Sequence, residues 1–275
     1  MSRALALVKS SHPEPGGAVT VAMTLLAIGV GHRGWSVLGV CAAVAATQFS
    51  VGWVNDWLDA DRDRTSGRRD KPLVSGAVSR RAVGTAGLIA SLAIPILGLP
   101  FGAAATVGIT LVGVFALLYD WPLKSTPLSV VPYLVAFGLL PAFVILALPG
   151  SPAPPVWLVA AGALLGGGAH FANVLPDLAD DAATGVRGLP HRIGATGSTV
   201  AAALLLLAAT LTLVFGPPGP PSWAGVAAAA AAVVVLPAGW YAARRERGRP
   251  VAMFRAVIVV ALIDVLLLVA SGRVV

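Results

Sequence analysis

The chain alternates long apolar stretches with short polar breaks, and Gly or Pro marks most of the breaks. A helix needs about 20 apolar residues to cross a hydrocarbon layer ~30 Å thick, and nine stretches approach that length. They are 16–31, 34–55, 81–99, 101–120, 127–149, 155–176, 197–215, 222–242 and 252–271. The pattern predicts an all-α membrane protein with nine transmembrane helices, folded as one domain over residues 1–275.

Composition supports this fold class. Charged residues make up 11% of the chain and the mean hydropathy is +0.86, whereas soluble domains carry about 25% charged residues. Lipid is therefore an expected partner. The single cysteine, Cys41, excludes an intrachain disulfide.

Basic residues are distributed unevenly across the predicted spans. Nearly all lie on the side of the N-terminus, and only Arg33 and Arg273 fall opposite. Lys and Arg in short loops mark the cytoplasmic face. We therefore expect an integral protein of the cell membrane with a cytoplasmic N-terminus and an opposite C-terminus. This asymmetry accounts for the net charge of +7, so a nucleic-acid partner is not indicated.

Acidic residues are concentrated in two short segments. Ten of the twelve are Asp, and eight of these lie within 56–70 and 177–181. Both segments follow the pattern N-x3-D-x3-D-x3-G, at an offset of 118 residues. The matched positions are Asn55, Asp59, Asp63 and Gly67 in one copy, and Asn173, Asp177, Asp181 and Gly185 in the other. The repeat predicts two similar halves, each bringing an acidic helix end to a shared cavity.

Helical spacing places Asp56, Asp59 and Asp63 on one face and Asp61 on the other. Like charges one turn apart destabilise a helix, and two such faces brought together would repel further. Mg²⁺ relieves this repulsion, since it binds carboxylate oxygens together with substrate phosphates. The alternative is a solvated helix end balanced by nearby Arg, which two matching copies disfavour. Both acidic faces, including Asp177 and Asp181, are thus predicted to hold metal-bound diphosphate.

Cationic residues follow each acidic segment and the fourth span. Arg offers a planar fork to phosphate oxygens, and Lys offers a mobile point charge; the candidates are Arg68, Lys71, Lys124 and Arg187. His170 and Asn173, one turn apart, form a polar pair expected to face the interior or a cavity. The sequence has no cysteine pair and no close second histidine, so a zinc site is not indicated. A P-loop pattern is absent as well.

These motifs resemble those of the UbiA superfamily of intramembrane prenyltransferases. The first motif, N-D-x2-D-x3-D, matches residues 55–63, and its basic continuation matches Arg68, 71–73 and 75–76. The second motif, D-x3-D, matches residues 177–181, and residues 119–124 resemble the family's Y-S-x-P-L-K segment. Two positions depart from the family pattern: Lys71 replaces the usual Arg, and Asp120 replaces a small hydroxyl residue.

The resemblance implies two four-helix halves and a ninth helix around a central cavity. It implies two Mg²⁺ ions, for which Mn²⁺ can substitute, a polyprenyl diphosphate donor, and a lipophilic or aromatic acceptor. The implied metal ligands are Asn55, Asp59, Asp63, Asp177 and Asp181. The implied catalytic residues are these five and Asp56. The implied diphosphate-binding residues are Arg68, Lys71, Tyr119, Lys124, Asn173 and Arg187.

Two other functions remain open. A terpene cyclase of the same superfamily would ionise diphosphate at the same site and trap the cation with the chain's own double bond. A transporter with inverted repeats would also carry acidic residues within the membrane. The acidic segments argue against the transporter, because they lie at predicted helix ends beside basic loops rather than in mid-span.

Overall fold

The computed structural model describes residues 2–246 and 252–271, and every regular element in these ranges is helical. The α-helices are α1 (Arg3–Lys9), α2 (Pro13–Gly29), α3 (Trp35–Thr65), α4 (Arg80–Gly98), α5 (Ala103–Asp120), α6 (Val131–Leu146), α7 (Val156–Val174), α8 (Leu178–Ala183), α9 (Leu189–Phe215), α10 (Trp223–Ala243) and α11 (Ala252–Ser271). Short 3-10 turns follow α4, α5 and α7.

The all-helical prediction is confirmed, but the predicted count of nine helices is not. Each of the nine apolar stretches coincides with a long helix, and the structure adds two short ones, α1 and α8. Six helices in the described ranges are long and apolar enough to cross a membrane: α3, α4, α5, α7, α9 and α10. Helix α6 is apolar but shorter. Arg247, Arg249 and Arg273, which entered the orientation argument, lie outside the described residues.

The helices pack into a closed arrangement around a cavity. Successive long helices contact one another from α2 to α11, and α11 returns to contact α2. Helix α11 also packs on α7 and α9, while α4 and α10 lie farther from the cavity. Large apolar side chains on the outer face of α4, such as Leu88, Ile89 and Leu92, are exposed. This exposure suits contact with lipid acyl chains.

Small residues allow α6 and α7 to approach closely. A Cβ added at Gly166 would lie 2.6 Å from the Tyr133 carbonyl oxygen, and one at Gly162 would lie 2.9 Å from Pro141 Cγ. Small residues at such crossings are a common basis of helix packing in membranes. The contact matters for the cavity because Tyr133 and Phe137 on α6 line it.

The two acidic repeats end their helices differently. Helix α3 has 31 residues, about 46 Å at 1.5 Å per residue, so its acidic end extends beyond a ~30 Å hydrocarbon layer. The second copy is interrupted, because Pro176 lies in the turn Leu175–Asp177 between α7 and α8. Each copy ends at a glycine with a left-handed backbone conformation, Gly67 at φ 69° and Gly185 at φ 86°. Glycine is favoured at such positions because it adopts positive φ without steric cost.

Gly166→Ala should destabilise the protein by about 1–3 kcal/mol, because the added methyl group overpacks the α6–α7 contact. The matched control is Gly17→Ala, where an added Cβ meets nothing within 4 Å. That change should leave stability unaltered or slightly raised. Thermal unfolding of both variants in detergent tests the packing, and equal melting temperatures would contradict it.

Candidate active site

A cavity of about 520 Å³ joins a charged end to an apolar arm. Ten of the twelve predicted site residues line it: Asn55, Asp59, Asp63, Arg68, Lys71, Tyr119, Lys124, Asn173, Asp177 and Asp181. The apolar arm is lined by side chains such as Met23, Leu26, Leu140, Leu158 and Leu213. The repeats on α3 and on α7–α8 therefore meet at one cavity, as the sequence predicted.

Lysines neutralise the first acidic face. Lys71 Nζ lies 2.9 Å from Asp56 Oδ1 and 2.8 Å from Asp63 Oδ2, and Lys124 Nζ lies 2.8 Å from Asp59 Oδ2. Burial by itself lowers the pKa of Lys71, but Asp56 and Asp63 outweigh it and raise the pKa above its ordinary value. The ammonium group therefore stays charged between two carboxylates.

The second acidic face lies near Arg68 and His191. Arg68 Nη1 lies 3.6 Å from Asp177 Oδ1, and His191 Nε2 lies 3.7 Å from Asp181 Oδ2. Burial raises the pKa of Asp181, and the nearby Lys124 and Arg62 only partly offset that effect. A partly buried carboxyl group of this kind gains stability from an added cation.

An aspartate and two tyrosines complete the wall next to Asn55. Asn55 Nδ2 donates to Asp120 Oδ1 at 3.0 Å, while Asp120 Oδ2 is buried without a hydrogen-bond partner. The rings of Tyr119 and Tyr133 meet edge to face at 4.8 Å between centroids. The bond from Asn55 fixes its amide group and leaves its carbonyl oxygen available as a ligand.

The donor set suits Mg²⁺, although the described residues contain no ready-made cluster of three acidic, His or Cys side chains. Carboxylate and amide oxygens from Asn55, Asp59, Asp63, Asp177 and Asp181 all face the cavity, and oxygen ligands are those Mg²⁺ prefers. The incompletely neutralised Asp181 supports the fit. Lys71 and Lys124 contact the oxygens of the first acidic face.

Two predicted residues lie away from the cavity surface. Asp56 is 2% exposed and turns toward Lys71 and His12, although helical spacing placed it with Asp59 and Asp63. Arg187 is exposed and does not line the cavity. Its role in diphosphate binding stays a prediction.

Several cavity residues were not predicted as site residues. They include His12, Tyr133, Asp120 and Asp264, all of which line the cavity. Asp120 was noted only as a departure from the family pattern, and no spacing rule marks His12. A signal existed for Tyr133, because it precedes Phe137 by one turn on an otherwise apolar helix.

Comparison with known proteins assigns the family. The sequence profile described as the UbiA prenyltransferase family matches residues 17–262. The chain belongs to the UbiA prenyltransferase family and is an integral membrane protein.

Solved structures share the fold. A UbiA homologue from Aeropyrum pernix K1 superposes with a TM-score of 0.73 at 20% identity, covering 92% of this chain and 96% of that one. A UbiA homologue from Archaeoglobus fulgidus, bound to GPP and Mg²⁺, gives a TM-score of 0.69 at 12% identity, covering 98% and 100%.

A curated relative is similar in sequence. Digeranylgeranylglyceryl phosphate synthase of Methanopyrus kandleri is 31% identical over 187 residues, which are 62% of this chain and 65% of that protein. The matched region is thus less than two thirds of the relative's length.

Asp63→Asn should weaken Mn²⁺ binding about tenfold or more, because it removes a charged oxygen ligand from the first acidic face. Asp61→Asn is the control, since Asp61 is 69% exposed and paired with Arg64 and Arg80 outside the cavity. Electron paramagnetic resonance of Mn²⁺, titrated in the presence of inorganic diphosphate, measures the Mn²⁺ affinity of each variant. Equal affinities in the two variants would contradict the assignment of the metal-binding face.

Proposed function

We propose that this protein is an Mg²⁺-dependent intramembrane prenyltransferase, which moves a prenyl group from a polyprenyl diphosphate to a lipophilic or aromatic acceptor and releases diphosphate. The observation that carries the proposal is the shape of the cavity, whose charged end continues into an apolar arm. A prenyl diphosphate has the same two parts, a charged head and a hydrocarbon tail.

The carboxylates would hold the metal ions. Asn55, Asp59 and Asp63 would serve on one side of the diphosphate and Asp177 and Asp181 on the other, in keeping with two Mg²⁺ ions or Mn²⁺ in their place. Bound Mg²⁺ supplies Lewis-acid stabilisation of the charge on the departing diphosphate. GPP and Mg²⁺ in one structural relative, and DMAPP and Mg²⁺ in another structure of that relative, support this proposal.

The lysines would change partners when the donor binds. Lys71 and Lys124 each contact acidic side chains. A flexible ammonium group can turn from a carboxylate to a phosphate oxygen at little cost, once cations neutralise the carboxylate. Arg68, beside Asp177, would offer a planar fork to the same phosphate group.

Aromatic side chains would face the carbon that reacts. Tyr119 and Tyr133 lie where the charged end meets the apolar arm, and Phe137 stacks on Tyr133 with 5.8 Å between centroids. Aromatic faces stabilise nearby cations, and an apolar wall excludes water from an allylic cation. A cation formed here would therefore survive until the acceptor captures it.

The acceptor is proposed to be a lipid with a free hydroxyl group. The curated relative is named for a glyceryl phosphate product, and a lipid acceptor would reach the cavity from the membrane. The orientation follows from the basic loops, with the N-terminus and both acidic repeats on the cytoplasmic face of the cell membrane. The two repeats would be the ends of two four-helix halves, α2–α5 and α6, α7, α9 and α10, with α11 as the ninth long helix.

The direct test is product analysis of the purified protein with C10 to C20 prenyl diphosphates, Mg²⁺ and hydroxyl-bearing lipids. Transfer should require an acceptor and stop in excess EDTA, because the carboxylates alone cannot bind an anion. Rapid acceptor-free conversion to a defined cyclic terpene would instead establish a cyclase. Full turnover in EDTA would rule out the metal-dependent mechanism.

The acidic residues should differ in their effect on turnover. Alanine at Asp59, Asp63, Asp177 or Asp181 should each lower kcat about 10²-fold or more, which is typical of losing a main electrostatic stabiliser. Asp61→Ala is the matched control on α3 and should remain near wild type. Steady-state kinetics at saturating Mg²⁺ measure kcat for each variant. An Asp61→Ala variant as impaired as Asp63→Ala would show that the cavity face is misassigned.

A further inference from the structure

The turn before α2 places an imidazole group at the cavity wall. His12 lines the cavity with 43% of its side chain exposed, and its Nε2 lies 2.9 Å from Asp56 Oδ1. Asp56 itself is 2% exposed and does not line the cavity. Of the two paired side chains, His12 is therefore the one that a substrate can reach.

The hydrogen bond to Asp56 determines which ring nitrogen is basic. Asp56 also accepts from the Lys71 ammonium group at 2.9 Å, so it acts as a carboxylate with acceptor oxygens only. Nε2 of His12 must then carry the proton and donate it, which leaves the lone pair on Nδ1. A histidine oriented by a carboxylate through one nitrogen is a common arrangement for taking a proton with the other.

The backbone around His12 is built to hold this position. His12 adopts a left-handed conformation at φ 54° and ψ 61°, which is uncommon for a residue other than glycine and costs energy. The preceding Ser10 and Ser11 are buried, and a Cβ at Gly52 of α3 would overlap the Ser11 carbonyl group. Trp53 Nε1 also donates to the Leu7 carbonyl oxygen at 2.8 Å.

The charged neighbours of His12 are few. Asp56 from α3 and Lys71 from the loop after α3 form its immediate network, and Lys71 links it to Asp63. Helix α6, which packs on α2, has no ionisable residue other than Tyr133. Helix α11 contributes Arg255, which is exposed, and Asp264, whose carboxylate accepts from Thr210 at 3.1 Å. Glu14, in the first turn of α2, is exposed.

Helix α2 also offers a path for an acceptor. Gly16, Val19, Met23 and Leu26 follow His12 at helical spacing, and all four line the cavity. A lipid chain lying along this stripe would present its polar end to His12. The carboxylates of Asp59 and Asp63 are paired with lysines and assigned to the metal ions, which makes them poor candidates to take a proton.

We propose that His12, oriented by Asp56, is the base that deprotonates the acceptor hydroxyl group. The proposal rests on the proposed function. The acceptor O–H proton passes to His12 Nδ1 as the acceptor oxygen bonds to the allylic carbon. The bond between that carbon and the diphosphate oxygen breaks, and its electron pair leaves with diphosphate. The imidazolium, held by the Asp56 carboxylate, then releases its proton to water through its exposed side.

The test compares His12→Gln with Glu14→Gln in the full-length protein. Glutamine can still donate to Asp56 but cannot take up a proton. We expect His12→Gln to lower kcat about 10²-fold or more, as loss of a general base does, with little change in KM for the donor. Glu14→Gln, two residues away and exposed, should match wild type in both respects.

Two further measurements separate catalysis from a structural role. Acceptors with more acidic hydroxyl groups should lose less activity in His12→Gln, because they need less help to release the proton. Imidazole added to His12→Gly should restore part of the turnover, more so as the pH rises. A uniform loss across all acceptors without imidazole rescue would overturn the proposal and leave His12 a structural residue.

The outcome for the unaltered protein keeps the two proposals distinguishable. Wild-type transfer together with an undiminished His12→Gln variant overturns only the assignment of the base. Absence of transfer to any hydroxyl acceptor in the unaltered protein overturns the proposed function, and the assignment of the base with it.

Discussion

Charge compensation within an otherwise apolar molecule is the constraint on which this structure depends. Buried carboxylates are tolerated only when they are paired or bound to cations. Here Lys71 and Lys124 supply that pairing across the chain, since each joins a separate segment to the acidic end of α3. The same lysines line the charged end of the cavity. One set of side chains thus both balances the buried carboxylates and lines the site proposed for an anionic head group.

The two acidic repeats divide this task unequally. The copy on α3 is continuous and closely paired with lysines, whereas the copy after α7 is broken at Pro176 and leaves Asp181 with a raised pKa. The partly buried Asp181 carboxyl group therefore gains stability from an added cation. On the proposed function, Asp177 and Asp181 would hold metal ions beside the diphosphate, and Lys71 and Lys124 would turn to its phosphate oxygens.

Much of the architecture could be predicted because its signals are local. Apolar stretches of membrane length gave the positions of the long helices, and the i, i+3 and i+4 spacing placed Asp59 and Asp63 on the cavity side. The duplicated pattern indicated that both acidic segments share one site. The predicted count of nine helices was not confirmed, because the structure adds α1 and α8, which are too short and mixed in composition to be recognised.

The remaining features depend on contacts between distant residues. His12 and Asp56 are 44 positions apart, and Asp59 and Lys124 are 65 apart, so no spacing rule links them. Helical periodicity placed Asp56 at the cavity, but the buried Lys71 and the turn before α2 draw it away. The exposed position of Arg187 depends likewise on the loop before α9, whose course the repeat does not determine.

The central claim is that one cavity binds a diphosphate head through metal ions and a prenyl tail through its apolar arm. Calorimetric titration with unreactive thiolo analogues of C5, C10 and C20 prenyl diphosphates, each with and without Mg²⁺, tests both parts together. The account predicts binding that requires Mg²⁺ and tightens as the tail lengthens. Equal affinity without Mg²⁺, or affinity independent of tail length, would contradict it.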